Sequence, residues 1–532
     1  MATADPANGA VPVRRARAAL QWRLGAEDRA RLGAFTLDAL TLVVTAAVFL
    51  ALNRPFWYAA TSYDEEFFTW GGWCITKGLV VYRDFLEFKP PIAFFTHAIA
   101  IALFGLKNYG YRTFFTFAPL SAVLLLQTTL LARGIERFLV LAMTVGFVAL
   151  FVNTWYHDTA LSDCESIGLM YYTLGLAGFL YEGRHAKAAL FAGGFFMSCA
   201  VLSKEPIGGV VGVTWVGAFF LRGATTLASA KRFASASLLG VAAFFVILCL
   251  YMVPTGAMKG YVELLHAYSR IYRDPKTSYC VAAGVARPDD GFEVAWNHIR
   301  QYFLNENTLG YLAPLALPGA VFAFRRSIGL FLTMVAATCA GLWAAVPTMC
   351  MWVHYCVMSM AGVLYVLVAS VDSLKWPLRA ADRRVRIATS AVACLAVATY
   401  VYPTLSLLSN MHFQRVPWQE PQPGILAFIA AHTTPQDRIF TTGTPQLYAR
   451  SDRISAARET NIIDEILPSY EGDTDEERLR PLYEELVKNR PKVVFLDPEN
   501  EHRKGRHLRT LLYPFLERFH YRAVNPRLYL RP

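Results

Sequence analysis

The first cluster of side chains with catalytic potential is acidic and follows the first long apolar segment. It comprises Tyr63, Asp64, Glu65 and Glu66. A carboxylate so close to an apolar segment is costly unless it is solvated or paired. At a partly apolar site its pKa rises, and it can then accept a proton from an incoming hydroxyl or amine. We therefore place a candidate general base in this cluster, the alternative being a hydrated loop charge.

Two lysines precede prolines that can begin helices. Lys89 stands before Pro90 and Pro91, and Lys204 lies in the sequence LSKEP. A lysine at the positive N-terminal end of a helix suits an anionic group such as a phosphate. Lys89 alone is equally compatible with an interfacial anchor whose ammonium snorkels to water. For Lys204 the alternative is neutralisation by the adjacent Glu205.

A second acidic stretch, residues 153–165, contains Asp158, Asp163 and Glu165 but neither Lys nor Arg. Glu165 lies at the start of the next apolar segment. Such a concentration of acid can orient a substrate amine or hydroxyl, or it can be a solvated loop. His157 beside Asp158 resembles half of a hydrolase triad, but no serine nucleophile elbow accompanies the pair.

A histidine and a tyrosine, His354 and Tyr355, begin a later apolar segment. His354 can donate a hydrogen bond to a phosphate, or it can simply lie in the membrane interface. None of these stretches specifies a site by itself. A common site requires that the fold bring them together.

Composition indicates that the elements which position these residues are membrane helices. Of the 532 residues, 55% are hydrophobic and 17% are charged, and the mean hydropathy is +0.32. These values are too apolar for a soluble protein of this length. Eleven segments come close to the roughly 20 apolar residues that a spanning helix needs. They are residues 35–53, 113–132, 138–153, 166–181, 188–203, 207–221, 233–255, 308–324, 327–345, 355–371 and 387–407.

The net charge of +11 lies largely in short loops between these segments, which indicates membrane orientation rather than nucleic-acid binding. Residues 90–106 are apolar as well. If they crossed the membrane, the basic loops would move to the outer side, against the rule that such loops face the cytoplasm. We therefore predict an interfacial or re-entrant helix at residues 89–106 in the outer leaflet and eleven crossings.

The predicted organisation has three parts. A basic cytoplasmic N-terminus occupies residues 1–33, and a transmembrane domain occupies residues 34–408. Residues 409–532 form a small α/β domain on the periplasmic or exoplasmic side, because strand-like and helix-like stretches alternate there. The candidate catalytic and phosphate-binding residues then lie on the outer side of the membrane. The cysteines form no CxxC pair, which argues against a zinc site or a disulfide framework.

The order of the motifs resembles that of the GT-C glycosyltransferases. Within them it is most similar to the bacterial branch that includes the lipid A aminoarabinose transferase and the protein O-mannosyltransferases. The resemblance covers residues 35–371. Its motifs are YDEEFF, YRDF before KPPI, an acidic residue at the head of a helix, LSKEP and HY.

This resemblance implies a polytopic α-helical fold of GT-C type and assigns roles to the residues singled out above. The catalytic candidates are Asp64, Glu65 and Glu165. The candidates for binding the donor phosphate are Lys89, Lys204, His354 and Tyr355. Secondary candidates are Asp158, Asp163, Tyr63 and Tyr82.

The function expected from these features is inverting transfer of a sugar from a polyprenyl-phosphate donor to a hydroxyl or amine of a lipid, glycan or protein. A leaving phosphate already met by lysine does not demand a metal, so we expect neither metal nor cofactor. The expected partners are membrane lipids, the donor and the acceptor, without nucleic acid. The expected location is a bacterial inner membrane, with the N-terminus in the cytoplasm.

Two other functions use the same residue types. A transporter or flippase of lipid-linked intermediates would use the carboxylates for proton coupling and would carry ionisable residues near helix midpoints. Here they cluster at the outer helix ends, which favours the enzyme. The other is an enzyme that ligates a whole glycan from a pyrophosphate-linked lipid. The sequence distinguishes this enzyme poorly from the sugar transferase.

The predicted topology can be tested with single cysteines. Those placed near Asn410 or Glu499 should react with an impermeant thiol reagent added outside the cell, and those near Arg133 or Arg384 should not, because the loop charges put them on opposite sides. Cytoplasmic labelling of the C-terminal part would refute the eleven-crossing topology.

Overall fold

The chain is mainly helical. A computed structural model describes residues 26–57, 63–87, 89–155, 161–223, 226–273, 308–345, 356–410, 423–443, 445–458, 475–496 and 511–532. The helices of the apolar part are α1 (Ala26–Leu52), α2 (Tyr63–Thr76), α3 (Pro91–Phe104), α4 (Arg112–Ala132), α5 (Arg137–Trp155), α6 (Cys164–Leu180), α7 (Ala186–Val201), α8 (Gly208–Leu221), α9 (Leu227–Met252), α10 (Ala257–Arg273), α11 (Thr308–Arg326), α12 (Ile328–Ala345), α13 (Cys356–Ala380) and α14 (Arg383–Asn410).

Each of the eleven segments predicted to cross the membrane overlaps one of these helices. In lipid a helix satisfies its own backbone hydrogen bonds, which is why apolar stretches of this length adopt it. By length and composition, four helices of the described ranges can cross unaided: Gly33–Leu52, Arg112–Ala132, Leu227–Met252 and Val357–Ala380. The number of crossings stays a prediction.

Helix α3 differs from the spanning candidates in length and in environment. Its 14 residues extend about 21 Å at 1.5 Å per residue, which is less than the roughly 30 Å hydrocarbon core. Its side chains are largely covered by protein, with Phe94, His97 and Ala100 fully buried. Protein on several sides is what a helix ending inside a membrane requires.

Small residues allow the helices to approach closely. A methyl group at Gly194 of α7 would lie 2.0 Å from the carbonyl oxygen of Ser237 in α9, and one at Gly240 would lie 1.9 Å from the carbonyl oxygen of Phe191. Reciprocal glycines of this kind are typical of tightly packed membrane helices.

A buried charge network joins the helix ends on the side of the basic loops. Asp372 of α13 is 2% exposed and lies 3.1 Å from Arg133 Nη2 and 2.7 Å from Arg326 Nη1. Both arginines also donate to the carbonyl oxygen of Leu221 at the end of α8. The network therefore connects four helices and satisfies a helix C-terminus as well.

The last part of the chain contains a mixed sheet. Its elements are α15 (Pro423–His432), β1 (Ile439–Thr441), α16 (Gln446–Ser451), α17 (Asp475–Asn489), β2 (Val493–Phe495), β3 (Arg522–Asn525) and β4 (Leu528–Leu530). The strand order is β1-β2-β4-β3, with β1 and β2 parallel and the other pairs antiparallel. Residues 511–518 are also helical.

The two faces of this sheet have different neighbours, because side chains alternate along a strand. Ile439 and Val493 belong to the same core cluster as the membrane helices. Phe440 and Val494 face the other way, into a second cluster with Leu486 of α17. The boundary of an independent domain at residue 409 stays a prediction.

Asp372→Ala should strongly destabilise the protein. It leaves Arg133 with only the exposed carboxylate of Glu182 as a counter-charge, and loss of one partner of a buried pair costs about 3–5 kcal/mol. The comparison is Asp38→Ala, which removes a carboxylate 40% exposed and 3.5 Å from Arg137 and should cost less than about 1 kcal/mol. Thermal unfolding of both purified variants measures the difference, and equal midpoints would contradict the role given to the network.

Candidate functional site

Helix α2 presents the first acidic cluster in its first turn, where negative side chains are stabilised by the helix dipole. Successive residues of a helix point about 100° apart. Asp64 and Glu65 therefore enter different surroundings although they are adjacent in sequence.

Glu65 is fully buried in an ion pair with Arg112, the first residue of α4. Arg112 donates from Nε to Oε1 at 2.7 Å and from Nη2 to Oε2 at 2.6 Å. The hydroxyl of Tyr111 donates to Oε1 at 2.9 Å, and Arg112 Nη1 donates to the carbonyl oxygen of Phe56 at 2.6 Å. This burial and saturation argue against the catalytic role predicted for Glu65 and favour a role in positioning.

Asp64 is half-buried, and no residue of the described ranges holds its carboxylate by a hydrogen bond or an ion pair. Its carboxylate lies within electrostatic range of Cys164, at the start of α6, as do the charged groups of Glu165, Lys204 and Lys89. The structure therefore brings together the four residues that the sequence singled out on separate stretches.

The YRDF turn positions Lys89. The Tyr82 hydroxyl donates to the Lys89 carbonyl oxygen at 2.7 Å, and the Tyr82 amide donates to the Phe85 carbonyl oxygen at 2.8 Å. Tyr82 has a φ of 66°, in the left-handed region that costs a non-glycine residue free energy. Its ring is buried and lies 4.9 Å from that of Tyr261. Burial raises the pKa of Tyr82 well above its usual value, so it stays a neutral donor.

The two lysines are joined through the backbone. Pro90 and Pro91 begin α3, and the next amide, that of Ile92, donates to the Leu202 carbonyl oxygen at 3.2 Å. Leu202 is the C-cap residue of α7, two residues before Lys204. This hydrogen bond therefore joins the head of α3, which follows Lys89, to the turn that carries Lys204.

Lys204 pairs with Glu165 rather than with its neighbour Glu205. Its Nζ lies 2.8 Å from Glu165 Oε1, and both side chains are buried, with exposures of 6% and 1%. The Cys164 thiol donates to the other carboxylate oxygen at 3.1 Å. An ammonium has three donors, so Lys204 can hold Glu165 and a phosphate oxygen at once.

The remaining predicted residues are placed as follows. Asp163 is 2% exposed and is the N-cap residue of α6, next to the Glu165 pair. The Tyr82 hydroxyl donates a hydrogen bond to the backbone carbonyl oxygen of Lys89, as described above. Asp158, His354 and Tyr355, and the side chain of Tyr63, lie outside the described residues, and their roles stay predictions.

Sequence reasoning missed two residues that hold the site together. Arg112 could have been identified from the sequence, because it is a basic residue on the predicted outer side. His97 interrupts an apolar segment, and it joins three elements: Nε2 donates to the Ser162 carbonyl oxygen at 2.8 Å, and Nδ1 lies 3.4 Å from Thr69 Oγ1 of α2. His97 thus links α3 to α2 and to the acidic loop.

Within the described ranges, no group of three or more His, Cys, Asp or Glu side chains could hold a metal ion. The chemical resources of the site are two ammonium groups at helix starts, a half-buried carboxylate and a buried carboxylate paired with one of the lysines. They suit stabilisation of a phosphate and removal of a proton.

No protein-family model matches the sequence, and no curated protein matches it in sequence. Solved structures do match the fold. ArnT from Cupriavidus metallidurans, bound to undecaprenyl phosphate, superposes with a TM-score of 0.52 at 13% identity over 93% of this chain and 98% of that one. Its apo state gives 0.51 at 14% identity over 94% and 98%.

The oligosaccharyltransferase of Archaeoglobus fulgidus, in complex with zinc and sulfate, gives a TM-score of 0.51 at 13% identity over 92% of this chain and 73% of that one. The expected GT-C fold is therefore confirmed, and the chain is a multi-pass membrane protein.

Removal of the two adjacent carboxylates should change the stability of the protein by very different amounts. Glu65→Ala leaves Arg112 buried without a counter-charge and should lower the free energy of unfolding by about 3–5 kcal/mol. Asp64→Ala removes a carboxylate with no such partner and should change it by less than about 0.5 kcal/mol. Denaturant unfolding of both variants in detergent measures this. Similar losses for the two would show that Asp64 is structural too.

Proposed function

We propose that this chain, a multi-pass membrane protein with the GT-C fold, transfers a sugar from a polyprenyl-phosphate donor to a hydroxyl or amine acceptor at the outer face of the membrane. The observation that carries the proposal is the convergence of Lys89 and Lys204 beside Asp64 and Glu165. The fold shared with ArnT, whose structure includes undecaprenyl phosphate, supports a lipid-linked phosphate as the ligand.

The lysines would bind the donor phosphate and stabilise it as it leaves. In the reaction the acceptor oxygen or nitrogen forms a bond to the anomeric carbon, and the bond from that carbon to the phosphate oxygen breaks. The leaving polyprenyl phosphate gains negative charge, which Lys89 and Lys204 neutralise. Both ammonium groups lie at helix starts, whose dipoles add to the effect.

Asp64 would accept the acceptor's proton. It is the carboxylate of the cluster that reaches water and is not committed to a partner in the described ranges, whereas Glu65 is buried. Attack from the side opposite the leaving phosphate would give inversion at the anomeric carbon. Glu165 would act through Lys204 by holding the ammonium in place at 2.8 Å.

The proposed location follows from the same placement. The site lies at the helix ends opposite the buried network of Asp372 and the basic loops. With those loops in the cytoplasm, the site faces the periplasm of a bacterial inner membrane, and so does the sheet-containing part that contacts it.

Lys89 and Asp64 should fail at different steps. Lys89→Ala removes a charge-assisted hydrogen bond of roughly 1.5–3 kcal/mol, so donor affinity should fall by about tenfold to a hundredfold. Asp64→Asn keeps the shape but loses the base, so turnover should fall by about a hundredfold or more while donor binding stays close to normal. Binding of a polyprenyl-phosphate sugar and its transfer rate are measured for each purified variant.

The matched control is Lys107→Ala, which removes an exposed lysine on the same side of the protein and should alter neither quantity. Normal turnover of Asp64→Asn together with normal binding by Lys89→Ala would refute the catalytic assignment and favour the transporter.

A further inference from the structure

The sheet-containing part of the chain contacts the segment that carries Asp64 and Lys89. We call its described residues within 423–532 the C-terminal unit. Asp452 lies 2.6 Å from the ammonium of Lys77 at the end of α2. The amide of Leu86, in the YRDF turn region, donates to the Arg458 carbonyl oxygen at 3.0 Å. The unit thus contacts both α2 and the turn that leads to Lys89.

A buried aromatic cluster forms the centre of this contact. Trp70 of α2 lies 5.2 Å from the ring of Phe85 in the turn and 5.4 Å from that of Phe67. Phe85 lies 5.9 Å from Phe94 of α3. The C-terminal unit supplies Tyr448, whose ring lies 6.2 Å from Trp70. One packed cluster therefore fixes α2, the turn and α3 relative to one another.

Tyr448 is itself rigidly held. It is fully buried and lies on α16. Its hydroxyl accepts a hydrogen bond from the Thr441 amide at 2.9 Å and lies 3.4 Å from the Thr441 carbonyl oxygen. Thr441 belongs to β1, which pairs with β2. The sheet thereby sets the position of the ring that packs on α2.

We propose that the C-terminal unit is a positioning element of the transferase site and that Tyr448 is its central positioning residue. The role in transfer rests on the proposed function, whereas the contact can be measured without it. Because α2 carries Asp64 and the turn leads to Lys89, a unit that packs on both fixes the separation between base and phosphate site. A misplacement of about 1 Å in such a separation can cost about a hundredfold in rate.

Cys74 provides a reporter of this contact that does not depend on activity. It lies on α2 one turn after Trp70, is 2% exposed and is a free thiol. Cys74 and Tyr448 belong to the same buried core cluster. Withdrawal of the unit should expose the thiol.

The experiment uses the full-length chain with Cys74 as its single cysteine, purified in detergent and treated with a maleimide. Tyr448→Ala should accelerate labelling of Cys74 at least tenfold and lower turnover at least tenfold, with donor affinity within about threefold of the unaltered protein. Tyr448→Phe, which keeps the ring, should restore protection. Tyr483→Ala removes an aromatic ring from the opposite side of the sheet and is the matched control, with labelling unchanged.

A second variant leaves the aromatic cluster untouched and covers the case in which Tyr448→Ala does not fold. Lys77→Asp places like charges at the exposed pair with Asp452 and should accelerate labelling by about twofold to fivefold. Adding Asp452→Lys should restore the original rate, because the pair is reformed with reversed sign.

Unchanged labelling in folded Tyr448→Ala, or in Lys77→Asp where the first variant fails to fold, would overturn the proposal. Faster labelling with unchanged turnover would overturn the positioning role. If the unaltered chain transfers no sugar, the proposed function fails, but faster labelling still supports the contact between the C-terminal unit and α2.

Discussion

The buried ion pair between Glu65 and Arg112 is the constraint on which the candidate site depends. Two charges with exposures of 0% and 1% are tolerable only when they neutralise each other and their remaining donors and acceptors are used. Arg112 achieves this with two hydrogen bonds to Glu65 and one to the Phe56 carbonyl oxygen. The pair locks the start of α2 to the start of α4, and it thereby directs Asp64, the adjacent residue, away from the core.

The two ends of the helices use buried charge in different ways. At the opposite end, Asp372 and Glu182 balance the charges of Arg133 and Arg326, and the arginines also satisfy a helix carbonyl group, so these charges serve the structure. At the end that carries the candidate site, the Lys204 ammonium, a group with three donors, lies 2.8 Å from Glu165, and Asp64 is half-buried. The Asp372 network therefore serves to hold the helices together, whereas the end with Lys204 and Asp64 has the groups that anion binding and proton transfer require.

Much of the helical pattern could be predicted from the sequence, because long apolar stretches between charged loops permit few other structures in lipid. A shared role for Lys89 and Lys204 was implied only by the resemblance to a known family, because their places before prolines do not bring them together. The ion-pair partner of Lys204 could not be predicted from the sequence. Sequence proximity suggested Glu205 for Lys204, but the partner is Glu165, because the turn of α7 into α8 packs on the head of α6. The sequence analysis likewise assigned similar roles to Asp64 and Glu65, because the order of two adjacent residues does not show which side chain faces the core.

The central claim is the reaction itself, and the fate of the donor tests it most directly. The purified protein in lipid nanodiscs would be incubated with a polyprenyl-phosphate sugar and an envelope fraction as acceptor, and the lipid products identified by mass spectrometry. The account predicts free polyprenyl monophosphate, formed in proportion to sugar on the acceptor and lost in Asp64→Asn. Donor that remains intact under all conditions would contradict transfer, and turnover only of a pyrophosphate-linked glycan would identify a ligase instead.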